Sequence, residues 1–185
     1  MNALRQPQTL LYLSIALLIG GCTGLPKGVQ PVDHFQLNQY LGKWYEIARL
    51  DHSFERGLSH VSAEYSLRND GGVNVINRGF STEDGTWKEA EGRAYFVRNK
   101  NEGYLKVSFF GPFYGTYVVF DLDQKAYQHS FVAGYNKSYL WLLSRTPTVS
   151  DKLIQAFIEK SKALGFNTDE LIFPEQNLAT RKVRD

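Results

Sequence analysis

Residues able to do chemistry are few in this chain, and they are scattered. The sole thiol is Cys22, preceded by Ile19, Gly20 and Gly21. His34, His52, His60 and His129 lie far apart, and although His52 and His60 flank one loop, none shows a paired metal-ligand spacing. No Gly-x-Ser-x-Gly elbow lifts a serine onto a strand-to-helix turn. Gly79, Gly85 and Gly92 are too dispersed to cradle a phosphate, and no helix follows them. Glu46 reads as a hydrogen-bonded interior carboxylate rather than an acid catalyst. The sequence therefore predicts no catalytic residue, no metal and no cofactor, which leaves the chemistry at Cys22.

The residues before that cysteine explain it. Met1 to Gln8 carries one charge, Arg5; Leu10 to Ile19 is apolar apart from Ser14; small residues then lead to Cys22. Charged, apolar and small-residue regions in this order make an export signal over residues 1–21. The apolar run is shorter than the roughly 20 residues a membrane span needs. Ile19-Gly20-Gly21-Cys22 resembles the bacterial lipobox, with Ile19 where Leu is common. That resemblance implies diacylglycerol on the Cys22 thiol and acylation of the new amino terminus, and two or more chains anchor stably where one is marginal. By the same resemblance, Thr23 rather than Asp after the cysteine favours the outer membrane. The competing reading is an ordinary signal with an incidental cysteine. Residues 22–32, with Pro26, Gly28 and Pro31, read as a tether from the lipid to the folded body.

The body must come from the rest. The 185 residues suit one domain, and 12 Phe, 11 Tyr, 3 Trp and 16 Gly favour pleated strands and tight turns. The net charge of +2, without a basic block, offers no nucleic-acid footprint. Strand-like runs fall at 42–50, 59–69, 73–82, 86–98, 104–110, 115–122, 126–133 and 138–146, separated by short Gly, Asp, Asn and Pro turns. Short connections favour antiparallel neighbours, so the predicted fold is all-β: an eight-stranded up-and-down barrel. Residues 150–164 carry Leu153, Ile154, Phe157, Ile158 and Leu164 on one helical stripe, with Thr148 or Ser150 as cap and Gly165 as stop. This helix is expected to pack outside the barrel. Leu171 to Phe173 could add a short ninth strand. The barrel domain is set at 33–175 and a loose polar tail at 176–185.

Specific motifs then enter. Gly42-Lys43-Trp44 opens the first strand; Phe120-Asp121-Leu122-Asp123 follows the sixth, with Tyr127 nearby; Arg145 ends the eighth. This set resembles the lipocalin signature. Trp44 to Arg49, Phe54 to Gly57, Ala63 to Leu67 and Val107 to Gly115 are similar to the lipocalin subgroup that holds the bacterial outer-membrane lipocalins, apolipoprotein D and the plant temperature-induced lipocalins. The resemblance implies that Gly42, Trp44 and Arg145 close the barrel base, with the guanidinium over the indole. It also implies a fatty acid or lysophospholipid ligand, held for storage or transport in envelope maintenance, and it leaves a homodimer open.

Strand direction and alternation give an expected interior. If Trp44 plugs the base, the loops at 51–58, 83–85, 111–115 and 134–137 ring the mouth. This apolar rim reads as a ligand entrance, a membrane contact or a dimer face. If Trp44 points inward, so do Glu46 and Ala48, with Ile47 outward toward the helix. The predicted pocket adds Ala63 and Tyr65 (with Leu67 on their face), Val75 and Asn77, Ala94 and Phe96, Val107 and Phe109, Tyr117 and Val119, and Tyr139 and Trp141. Strand seven has mixed faces and cannot be phased. Arg78, Arg93 and Lys106 should face solvent. The small residues Ala48, Ala63, Gly92 and Ala94 argue for free volume. The remaining alternatives are a lipid-acting enzyme and a filled barrel that serves only as a membrane or dimer module.

Overall fold

Apolar–polar alternation and short turns make each strand pair with its sequence neighbour. In the computed structural model, which describes residues 24–176, eight antiparallel strands do so in order. They are β1 (Gly42–Arg49), β2 (Leu58–Leu67), β3 (Val73–Ser81), β4 (Thr86–Phe96), β5 (Tyr104–Ser108), β6 (Gly115–Leu122), β7 (His129–Ala133) and β8 (Leu140–Ser144). Pairing of β1 with β8 closes the barrel, so no edge strand is left open. Cys22, the export signal and residues 177–185 lie outside the described residues. Among the described residues no helix is long and apolar enough to cross a membrane.

A short helix α1 (Leu37–Tyr40) precedes β1, and α2 (Asp151–Ala163) follows β8. Ser150 caps α2 by accepting a hydrogen bond from the Leu153 N–H at 3.3 Å, and Gly165 leaves the helix at φ +81°. The apolar stripe of α2 covers the outside of the barrel. Phe157 is fully buried and meets Phe131 edge-on, 5.0 Å between centroids, in a cluster with Ile47, Phe120, Leu140 and Leu142. A separate cluster fills the lower interior around Trp44, Tyr65, Val132 and Leu143. This phases β7: Phe131 and Ala133 join the outer cluster, while Val132 belongs inside and Ser130 bonds an interior tyrosine.

Four expectations fail, each for a physical reason. Ala48 does not face the lumen. The β1–β8 register shifts between Glu46 and Ala48, so Ile47 and Ala48 both join the outer cluster and Arg49 turns inward opposite Trp141. A bulge inserts one residue and reverses the alternation beyond it. Leu67 is exposed because β2 outruns its neighbour: Tyr65 already pairs with Gly42, the first residue of β1. Residues 24–32 are no free tether. Val29 is buried in the outer cluster, Val32 N–H donates to Val119 O at 2.8 Å, and Thr116 Oγ1 donates to Gly24 O at 2.8 Å. The polar tail does not begin at Gln176, whose amide donates to Glu46 O at 2.6 Å and Val61 O at 2.9 Å. The predicted ninth strand is reduced to one antiparallel bridge between Ile172 and Arg49.

Candidate functional site

The barrel encloses a cavity of about 640 Å³, open at one end. Glu46, Ala63, Tyr65, Val75, Asn77, Ala94, Val107, Phe109, Tyr117, Tyr139 and Trp141 all line it. Phe54, Leu58, Phe113, Tyr114 and Tyr135 stand at its mouth. A volume of this size suits one small hydrophobic molecule. Three residues of the predicted pocket are not on its wall. Ala48 is turned out by the bulge. Phe96 and Val119 lie in the packed base, Phe96 edge-on to Phe35 at 6.1 Å. The cause is Phe35 itself: with Tyr40 it enters from the N-terminal segment, lines the cavity and raises the floor above them. Their positions outside any strand hid Phe35 and Tyr40 from an alternation argument.

The base is stoppered. The Arg145 guanidinium carbon lies 4.0 Å from the Trp44 ring centroid. Its nitrogens also donate to four carbonyls: Nη1 to Lys43 at 2.9 Å, Nη2 to Gln39 at 2.7 Å and Leu41 at 2.9 Å, and Nε to Tyr127 at 3.2 Å. The Trp44 indole donates to Tyr40 O at 2.7 Å. Gly42 sits at φ +91°, where a side chain is strained, and a Cβ would lie 3.5 Å from Arg145 Nη1. Asp123 binds the Lys125, Ala126 and Gln128 N–H groups at 3.3 Å each, shaping the turn that presents Tyr127 to the base. Burial opposes charge on Asp123, but these N–H bonds outweigh it and hold the carboxyl below the usual range.

Two polar constellations interrupt the apolar lining. On the floor, Ser130, Tyr40, Tyr117 and Tyr65 form a row of hydroxyls. Tyr40 to Ser130 is 3.1 Å, Tyr40 to Tyr117 is 2.7 Å and Tyr117 to Tyr65 is 2.9 Å. Burial pushes the Tyr40 phenol up to about 12 and raises Tyr65 and Tyr117 well above the ordinary value, so all three stay protonated donors. On the wall, Arg49 Nη1 meets Glu46 Oε1 at 2.6 Å, and Arg49 Nη2 donates to Glu55 O at 2.9 Å. Trp141 Nε1 donates to Glu55 Oε2 at 3.1 Å, and His52 Nε2 lies 3.1 Å from the same oxygen. Glu46 and Glu55 also hydrogen-bond each other, so the pair holds one proton. Burial, then repulsion by Glu55, raises Glu46 despite Arg49. Burial opposes charge on Glu55 too, yet the contacts with His52, Trp141 and Glu46 keep it ionised. Alternation alone missed Arg49, His52 and Glu55. Arg78, Arg93 and Lys106 stay off the cavity wall, and Arg78 is paired outside with Glu64 and Glu89. Among the described residues no group of three or more His, Cys, Asp or Glu is placed to hold a metal.

A family model described as a lipocalin-like domain matches residues 35–176. The chain is a lipocalin. This lipocalin is 60% identical over 169 residues to the outer membrane lipoprotein Blc of Vibrio cholerae, covering 91% of this chain and 99% of that protein. It is 49% identical over 163 residues to the protein of the same name in Escherichia coli K12, covering 87% and 92%. Bovine apolipoprotein D is 34% identical over 155 residues, covering 76% and 80%. Among solved structures, insecticyanin of Manduca sexta superposes with a TM-score of 0.67 at 20% identity, over 84% of this chain and 88% of that one, which speaks to the lipocalin fold alone.

Proposed function

We propose that this lipocalin is an outer-membrane lipoprotein, acylated at Cys22, whose barrel holds one acyl lipid (a fatty acid or lysophospholipid) for storage or transport in envelope maintenance. The observation that carries the ligand reading is the 640 Å³ cavity, walled by Val75, Ala94, Val107, Phe109 and Trp141 and closed below by Trp44 and Arg145. Such a wall rewards buried hydrocarbon by roughly 0.8 kcal/mol per methylene and asks little of the head group. The anchor reading rests on the lipobox-like residues before Cys22 and on the names borne by the Vibrio and Escherichia relatives. A binding role suits the acid pair better than catalysis, because Glu46 and Glu55 are both held by neighbouring side chains. Native mass spectrometry of the protein from membranes tests the reading. Copurifying acyl lipid, released on denaturation, is expected; a dry barrel that takes up no added fatty acid or lysophospholipid would overturn it.

A further inference from the structure

The N-terminal segment and the barrel mouth share one end of the molecule. Val32 bonds Val119, low on β6, whereas Gly24 bonds Thr116, the second residue after the mouth loop. Between these points the chain climbs the outside of the barrel, a rise of about 10 Å for three strand residues. Val29, buried in the outer cluster, fixes it there. Cys22 is two residues from Gly24, so it can reach no more than about 7 Å further. The lipid attachment point is therefore held beside the mouth, at the opposite end from Trp44 and Arg145.

The mouth is also where the largest exposed apolar side chains gather. Phe110 is 80% exposed, Phe113 69% and Phe54 57%. Trp87, exposed at the mouth end of β4, continues the rim. The three phenylalanines alone leave roughly 400 Å² of ring surface in water, given about 200 Å² per ring. That equals a large patch for a monomer. The closed end shows no equivalent cluster among the described residues, Leu67 standing there by itself.

We infer that the rim formed by Phe54, Phe110 and Phe113 docks on the bilayer surface into which the Cys22 acyl chains insert, so that the cavity opens against lipid. The occupant is a lipid surface rather than a second copy because the anchor leads to this end and keeps the rim within a few ångströms of the membrane. Aromatic side chains favour the depth at which head groups give way to chains. The inference rests on the Cys22 anchor proposed above.

The test uses the full acylated protein in vesicles of phosphatidylethanolamine and phosphatidylglycerol. Phe113→Cys at the rim, or Asn69→Cys in the exposed turn at the closed end, carries an environment-sensitive fluorophore; the Cys22 sulfur is blocked by its own lipid. The rim label should shift to the blue and lose at least half its emission to lipids brominated near the head group, while the closed-end label stays water-like. Mass analysis of the same sample reads the anchor. An acylated protein with a water-like rim label overturns the docking and leaves the anchor standing. A blue-shifted label that brominated lipids fail to quench assigns the rim to a second copy and also overturns it. An unacylated Cys22 overturns both readings.

Discussion

The Arg145 guanidinium lies 4.0 Å over the Trp44 ring while its nitrogens reach carbonyls on both sides of the base. One side chain thus joins α1, the start of β1 and the turn before β7. Arg145→Ala should cost about 2–4 kcal/mol, because several carbonyls and the indole lose their cover together. Arg145→Lys should recover less than half, since a single ammonium cannot span those acceptors. Urea unfolding of the three proteins measures both. Equal stability of Arg145→Lys and the parent would show that charge alone closes the base.

Tyr117 is an interior link of the hydroxyl row and Tyr65 is its end. Tyr117→Phe breaks two bonds and should cost about 1–3 kcal/mol; Tyr65→Phe breaks one and should cost about 1 kcal/mol. Alkaline titration at the phenolate absorbance band gives an independent reading. Tyr40, Tyr65 and Tyr117, all raised by burial, should ionise only as the fold is lost.

Glu46 has a definite pH sign. Burial raises its folded value above the ordinary 4.5. Above 4.5 the unfolded chain has released a proton that the folded chain still holds, so this group's contribution to stability falls as pH climbs toward the raised value. Glutamine cannot lose a proton. The stability of Glu46→Gln relative to the parent should therefore rise between pH 4.5 and about pH 8. Glu55 contributes the opposite trend, lost only as pH falls, and it is present in both proteins. Chemical denaturation across that range checks the slope, and a difference that shrinks with pH would contradict the raised value.

Val107 faces the cavity opposite Ala94 and Gly115. Val107→Trp puts an indole into the free volume. Affinity for a long-chain fatty acid should drop at least tenfold, while strain limits the loss of stability to about 1–3 kcal/mol. Fluorescent fatty-acid displacement and thermal unfolding read the two effects separately. Unchanged affinity would place the acyl chain elsewhere.

The strand order, the exterior helix and the closed base were legible in the sequence, because alternation, turn residues and the Gly42, Trp44 and Arg145 set are local signals. Bulges are not local signals. Nothing in Glu46-Ile47-Ala48-Arg49 marks Ile47 as the extra residue, and burial of Arg49 becomes tolerable only once Glu46 and the Glu55 carbonyl reach it from β1 and the following loop. Residues 24–32 misled through composition. Their prolines and glycine suggest a linker, while Val29 and Val32 grip the barrel one at a time with no periodicity to reveal it. Strand seven needed the helix to phase it, since Phe131 faces outward only because Phe157 waits there.

Each hydroxyl carries one hydrogen, so three bonds among Ser130, Tyr40, Tyr117 and Tyr65 consume three of four. One hydrogen is always left over, and rotating the O–H groups passes it along the row without moving a heavy atom. A guest that brings an oxygen lone pair can claim this spare; a guest that brings its own hydroxyl can push it to the far end. The floor is thus chemically ambidextrous, and an acid, an ester or an alcohol can meet it on equal terms.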